Sequence, residues 1–312
     1  MIKKTTTGTI QPSIGRGLTH VAERILNVPL MVHPAKADAI LAVLGGRLGL
    51  NSEVIPVVAA STSDNDQQHE YNVRDGIASI PVFGVLVKKA SGLDPQSGIT
   101  SYEALTQMIR AAVVDRSVRG IILDCDSPGG EVGGLFDLSD MIFQLRNVKP
   151  VIALVNDSSY SACYALASAA SKVFISREGG CGSIGVYTIH VDQSAMDKAK
   201  GLSYTYVFSG SKKLDGNAHQ PLAEDVRNSI QSEIDRLYGM FTSLVARNRN
   251  CSVQQVVHTQ AGCFHGTDAL PLLADWAGPL GKVAGWLRSG NMDPATAIAM
   301  AQHERLLAMG KS

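Results

Sequence analysis

Between residues 77 and 247 the chain alternates short apolar runs with stretches of helical period, and this alternation limits the possible folds more than any other feature. The apolar runs fall at 77–87 (interrupted at Gly84), 120–124, 151–155, 172–175, 183–190 and 203–208. Helical period is read at 101–114, with Leu105, Ile109 and Ala112 on one face. It returns at 131–145 through Leu135, Leu138, Met141, Ile142 and Leu145. Residues 161–170 form a helix of almost wholly small residues, and 194–200 and 223–247 complete the set. Runs that are apolar throughout, rather than alternating, belong to strands covered on both faces. The chain is therefore expected to be α/β, with a mostly parallel sheet and helices packed against it.

Composition excludes several function classes. The 28 Lys plus Arg balance 28 Asp plus Glu, and zero net charge exerts no long-range pull on nucleic acid or anionic lipid. An apolar fraction of 45% is too high for a disordered chain. The greasiest stretch, 39–50, is broken by Gly45, Gly46 and Arg47, well short of the roughly 20 residues a membrane span needs. Lys3 and Lys4 are followed by Thr5, Thr6 and Thr7 rather than an apolar export segment, so a cytoplasmic protein is expected. The five cysteines are odd in number and form no Cys-x-x-Cys pair, which points to neither a disulfide framework nor a zinc site. No metal and no cofactor is expected.

Four zones are expected. Residues 1–52 form an N-terminal arm, with a helix starting near Pro34 and carrying Ile40, Leu41, Val43, Leu44 and Leu48. Residues 53–76 hold a stretch rich in Ser, Asp, Asn and Gln and read as a linker. Residues 77–275 are the α/β core. Residues 276–312 are a helical tail, in which Asp293 and Pro294 supply an N-cap and a first helical position.

Four segments carry chemistry. Asp126-Ser127-Pro128-Gly129-Gly130 follows an apolar strand and reads as a turn before a helix. There, bare main-chain N–H groups suit an oxyanion hole or a phosphate cradle, and equally a plain tight turn. No Gly-Lys-Ser/Thr follows, so it is not a P-loop. Residues 156–164 follow another strand and place Ser158, Ser159 and Ser161 at a strand-to-helix junction, where a serine serves as nucleophile or as N-cap. Cys181-Gly182-Ser183-Ile184-Gly185-Val186 opens a predicted strand. Residues 209–217 form a loop with Lys212 and Lys213.

In order and spacing, over roughly two-thirds of the chain, these segments resemble the SppA-type serine peptidases of family S49, which have the ClpP/crotonase fold, a ββα superhelix. Ser-Pro-Gly-Gly at 127–130 is similar to that family's oxyanion turn. Ser161-Ala162-Cys163-Tyr164 is similar to its nucleophile segment, with Cys163 at a position usually held by Gly or Ala. Gly-Ser-Ile-Gly-Val at 182–186 and Ser-Gly-Ser-Lys-Lys at 209–213 match its serine strand and its lysine loop. The resemblance implies Ser161 as nucleophile and Lys213 as general base. It implies Ser183 as the hydroxyl that orients the lysine, and Gly129 and Gly130 as oxyanion donors. His20, Val21 and residues 29–50 further resemble the phage capsid-assembly peptidases. That implies scaffold, portal or capsid proteins as substrates, a homo-oligomeric ring, and no nucleic-acid or membrane partner.

A lysine can take a serine's proton only when neutral. Its pKa must fall from about 10.4 toward 7, which costs roughly 4–5 kcal/mol of desolvation, supplied by an apolar cleft, substrate or a second subunit. Rival bases are His219 and His190. Rival readings of the whole are a soluble bacterial SppA-like peptidase, a crotonase-type acyl-CoA enzyme and a non-catalytic capsid-assembly protein.

Overall fold

A computed structural model describes residues 26–34, 71–89 and 98–279. The helices expected near residues 40–48 and 293–309 lie outside the described residues.

In chain order the strands and helices are β1 (Leu30–Val32), β2 (Asn72–Arg74), β3 (Ile77–Val87), β4 (Ile99–Ser101), α1 (Tyr102–Val114), β5 (Gly120–Glu131), α2 (Leu135–Leu145), β6 (Val151–Tyr160), α3 (Ala162–Ser168), β7 (Lys172–Ile175), β8 (Gly180–Gly182), α4 (Ser194–Ala199), α5 (Glu224–Arg249), α6 (Val253–His258), β9 (Cys263–His265) and β10 (Trp276–Ala277). A short 3-10 turn, Gly266–Ala269, lies between β9 and β10. The main sheet runs β10-β7-β6-β5-β3-β2. Every pairing from β10 to β3 is parallel, and β2 closes the edge antiparallel. This is the mostly parallel α/β arrangement expected from the uninterrupted apolar runs. Ile80, Val82, Ile121, Leu123, Val151, Ala153 and Val173 are buried in its centre.

The helices hold by what they bury. Ser101 caps α1 by accepting from Ala104 N–H at 3.1 Å, and the helix buries Leu105, Met108, Ile109 and Ala112. All seven residues of α3 are buried, which only small residues permit so close to the strands. Polar ties hold it. Ser139 Oγ donates to Ala165 O at 2.8 Å, Asn248 Nδ2 donates to Ser168 Oγ at 3.0 Å, and Tyr164 OH donates to Leu273 O at 2.8 Å. Arg249, at the end of α5, pairs with Asp275 at 2.8 Å and fastens that helix to the edge of β7.

Five expected elements differ. The strands at 120–124 and 151–155 run on to Glu131 and Tyr160, and the helix expected from residue 131 begins at Leu135. Gly129 and Gly130 therefore lie inside a strand, not at a helix start, because β3 continues to pair with them through Val85 and Leu86. Residues 183–190 are not one strand: β8 ends at Gly182, and only Tyr187 and Ile189 form isolated bridges. Residues 203–208 are not a strand either. Tyr204, Val207 and Phe208 are exposed, and a strand-like pattern without a partner edge stays a loop.

Candidate active site

The centre of the site is the corner where β6 turns into α3. Ser161 stands there at φ +54° and ψ −117°, a conformation that costs a non-glycine residue about 1–3 kcal/mol. It is 1% exposed and caps no helix N–H with its side chain. A serine on a sharp strand-to-helix turn has its hydroxyl pushed out of the sheet end, as in a nucleophile elbow. Its neighbours hold the strain. Ser161 N–H donates to Gly182 O at 2.8 Å, and Ser161 O accepts from Ala165 N–H at 3.0 Å.

The parallel register of β6 with β8 pairs Ser158 with Gly180, Ser159 with Cys181 and Tyr160 with Gly182. The next residues on the two strands are Ser161 and Ser183, so the fold brings these two serines side by side. Ser183 is also buried and also at positive φ, +53°. Its N–H donates to Gly262 O at 2.8 Å, which anchors the backbone.

Gly129 reaches the same corner from β5. Its φ is +101°, and a methyl group built there would collide with Met31 O and lie 2.9 Å from Tyr160 O and 3.0 Å from Ala162 N. The position therefore needs glycine on two counts, conformation and space. Gly129 N–H donates to Ser127 Oγ at 3.1 Å, and Ser127 Oγ donates to Gly84 O at 2.6 Å. Gly130 packs so tightly on β3 that an added methyl would collide with the Leu86 carbonyl. Sequence reasoning missed Ala162. As the first residue of α3 its N–H has no intrahelical acceptor, and it faces Gly129. The available signal was its place immediately after the elbow serine.

Lys213 is placed differently. It lies in the exposed 209–217 loop, its N–H donating to Gly210 O at 3.0 Å, while Ser161 and Ser183 are buried. An open cleft of about 340 Å³ under this loop is lined by Tyr206, Phe208, Leu214 and Val226 among others. Both rival histidines have partners. His219 Nδ1 lies 2.7 Å from Asp197 Oδ2 and its ring stacks on Tyr204 at 3.9 Å. His190 Nδ1 lies 3.1 Å from Asn27 Oδ1.

Two thiols near Ser161 are held protonated. Burial pushes the Cys181 thiol up to about 12, and a hydrogen bond with Cys163 together with burial raises the Cys125 thiol well above its usual range. Neither is a thiolate nucleophile at neutral pH. Tyr160, whose hydroxyl is 3.2 Å from His265 Nε2, is pushed up to about 12, mainly by burial. Among the described residues no group of three or more His, Cys, Asp or Glu side chains is arranged to hold a metal ion, and no helix is long and apolar enough to cross a membrane.

Residues 144–288, which include Ser161, Ser183 and Lys213, match the profile of Peptidase family S49. This segment belongs to peptidase family S49. Three relatives agree with this membership. The "Capsid assembly protease C" of Escherichia phage lambda is 38% identical over 270 residues, covering 82% of this chain and 62% of that protein. The "Head-tail preconnector protein GP5" of Enterobacteria phage P21 is 34% identical over 318 residues, covering 95% of this chain and 64% of the relative. "Protease 4" of Haemophilus influenzae is 29% identical over 206 residues, covering 65% of this chain and 33% of the relative. The chain thus spans a little under two-thirds of the length of these two phage proteins.

Proposed function

We propose that the chain is a serine endopeptidase in which Ser161 attacks a peptide carbonyl and Lys213 serves as base and then acid. The observation that carries this reading is the corner itself, a strained, buried Ser161 placed beside Ser183 by the Tyr160–Gly182 register and facing Gly129. Attack forms a tetrahedral intermediate whose oxyanion is held by main-chain N–H groups, Ala162 with Gly130, or with Gly129 once its N–H turns from Ser127 Oγ. Collapse expels the amine, which takes the proton from Lys213, and water then hydrolyses the acyl-enzyme. Ser183 accepts a hydrogen bond from the lysine and aims it.

Lys213 is exposed in the single chain, so it loses its proton and serves as a base only when its loop is covered. The cover supplies the desolvation that a neutral lysine requires. A second copy in a homo-oligomeric ring, or the substrate, provides it; Val207, 98% exposed, and Phe208 beside it are the apolar surface that such a cover would bury. The likeness to a capsid assembly protease and a head-tail preconnector protein supports scaffold, portal or capsid proteins of an assembling phage head as substrates.

The test is hydrolysis of the cognate scaffold protein by purified variants. Ser161→Ala and Lys213→Ala should both abolish cleavage, while Lys212→Ala and His219→Ala should retain it. Full activity in Lys213→Ala would refute the dyad. Loss of activity in His219→Ala alone would transfer the base to the histidine.

A further inference from the structure

The S49 corner has an open edge, and a piece of the same chain fills it. β6 follows β5 only as far as the pair Ser127–Ser159, because the chain then turns at Ser161. From Gly129 onward that side of β5 has no neighbour from the main sheet. β1 takes the place, antiparallel, pairing Val32 with Gly129, Met31 with Gly130 and Leu30 with Glu131. His33 extends the pairing, its N–H donating to Pro128 O at 2.7 Å.

The other edge of β1 is held by the stretch after Ser183. Leu30 N–H donates to Tyr187 O at 2.8 Å, and Tyr187 N–H donates to Leu30 O at 3.1 Å. Asn27 N–H donates to Ile189 O at 2.8 Å, and Thr188 Oγ1 donates to Val28 O at 3.0 Å. An extended segment bonded along both edges is how a protein holds a peptide by strand addition, with main-chain bonds for affinity and side-chain pockets for selectivity. The carbonyl of Met31 is the group that a methyl on Gly129 would strike, and Ala162 N lies within reach of the same methyl. Met31 O thus points into the space assigned to the oxyanion. The Met31 side chain is completely buried, and the His33 ring packs on Tyr160 with centroids 5.3 Å apart.

We infer that residues 27–33 are a tethered pseudosubstrate: they occupy the substrate cleft of Ser161 and must withdraw before a peptide can bind. This rests on the peptidase reading above and extends it to a substrate class. The substrate enters as an extended strand antiparallel to the end of β5, in the register of β1. The residue before the scissile bond takes the pocket of Met31, so long, unbranched apolar side chains are preferred there. Substrates of this kind are unfolded or extended segments, since a folded helix offers no free main-chain edge.

Leu30→Pro in the full chain tests the inference, because it removes the N–H bonded to Tyr187 O and touches none of Ser161, Ser183, Gly129 or Lys213. Circular dichroism and a thermal melt establish that the variant is folded. The readouts are the rate at which a fluorophosphonate probe labels Ser161 and the hydrolysis of a fluorogenic peptide with Met before the reporter. Both should rise by at least about fivefold, the population shift that follows from losing one main-chain hydrogen bond. A free peptide copying residues 27–33 should compete with the fluorogenic substrate, and the same peptide with Asp in place of Met should compete at least about tenfold less well, since its carboxylate would be buried unpaired. Should Leu30→Pro unfold, Met31→Ala empties the pocket while keeping the main-chain bonds, and should give the same direction of change. A folded variant that labels and cleaves no faster than the unaltered chain, together with a peptide that does not compete, would make β1 an ordinary structural strand. Failure of the peptidase reading looks different: Ser161→Ala would then label and cleave as well as the unaltered chain.

Discussion

Gly129→Ala separates an oxyanion role from a packing role at the Ser161 corner. The residue has φ +101°, where an L-residue costs about 1–2 kcal/mol. The new methyl would collide with Met31 O and come within 2.9 Å of Tyr160 O and 3.0 Å of Ala162 N. If β1 withdraws when substrate binds, the substrate carbonyl that replaces Met31 O meets the same methyl. Tyr160 and Ala162 remain, because they flank Ser161. The peptide plane at Gly129 must tilt or the corner must shift, and either movement takes an N–H away from the developing oxyanion. Loss of one such donor costs about 3 kcal/mol in the barrier, roughly a hundredfold in kcat. Stability should fall by about 1–3 kcal/mol, at about 2–4 °C in Tm per kcal/mol for a domain of this size. The measurement is kcat and KM on an apolar fluorogenic peptide, paired with a thermal melt. The expected result is kcat down about a hundredfold with KM little changed and the melt lowered by several degrees. A lowered melt with kcat within about twofold of the unaltered chain, far less than a lost donor costs, would refute the oxyanion role. Gly130→Ala is the contrast: its methyl would collide with the Leu86 carbonyl inside the β3–β5 ladder, so it should impair folding before catalysis.

Further expectations follow from the rest of the structure. Arg249→Met leaves the Asp275 carboxylate without its 2.8 Å guanidinium partner; breaking a pair this buried costs about 3–5 kcal/mol, and a Tm drop of under 2 °C would show that Lys172 alone suffices. Asp275 also sets a pH dependence. Burial alone would raise its carboxyl, but Arg249, the Val173 N–H and Lys172 outweigh burial and hold it below the usual carboxylate range. Its contribution is present above an unfolded value of about 3.9 and is lost as pH falls through the lower folded value. The stability gap between the unaltered chain and Asp275→Asn should therefore be constant from neutrality to about pH 5 and close below about pH 4; a gap that closes near pH 6 would contradict this. Val207→Asp, at a residue 98% exposed, should leave the melt unchanged while shifting sedimentation to smaller species and lowering activity; unchanged sedimentation and activity would remove this loop from any subunit interface.

Much of the S49 fold could be read from periodicity. The uninterrupted apolar runs foretold the parallel centre of the sheet, and Leu105, Ile109 and Ala112 marked the buried face of α1 because that face answers to a local repeat of 3.6 residues. The exits of β5 and β6 were not legible. Ser127 to Gly130 has turn composition, yet pairing with β3 holds it extended. Residues 203–208 carry the reverse error, a strand composition with no edge to pair with.

The site divides along the same line. Ser161, Ser183, Gly129, Gly130 and Lys213 became candidates through the order and spacing that resemble family S49, since each motif alone also fits a cap, a tight turn or a solvated charge. Their arrangement depended on register. Tyr160 opposite Gly182 sets two serines together that lie 22 positions apart in the chain, and no local pattern encodes a pairing between distant strands. Nor did the N-terminal arm show where Met31 would lie. That depended on β6 leaving β5 and opening an edge with main-chain groups to satisfy, and the nearest extended segment able to satisfy them was the chain's own.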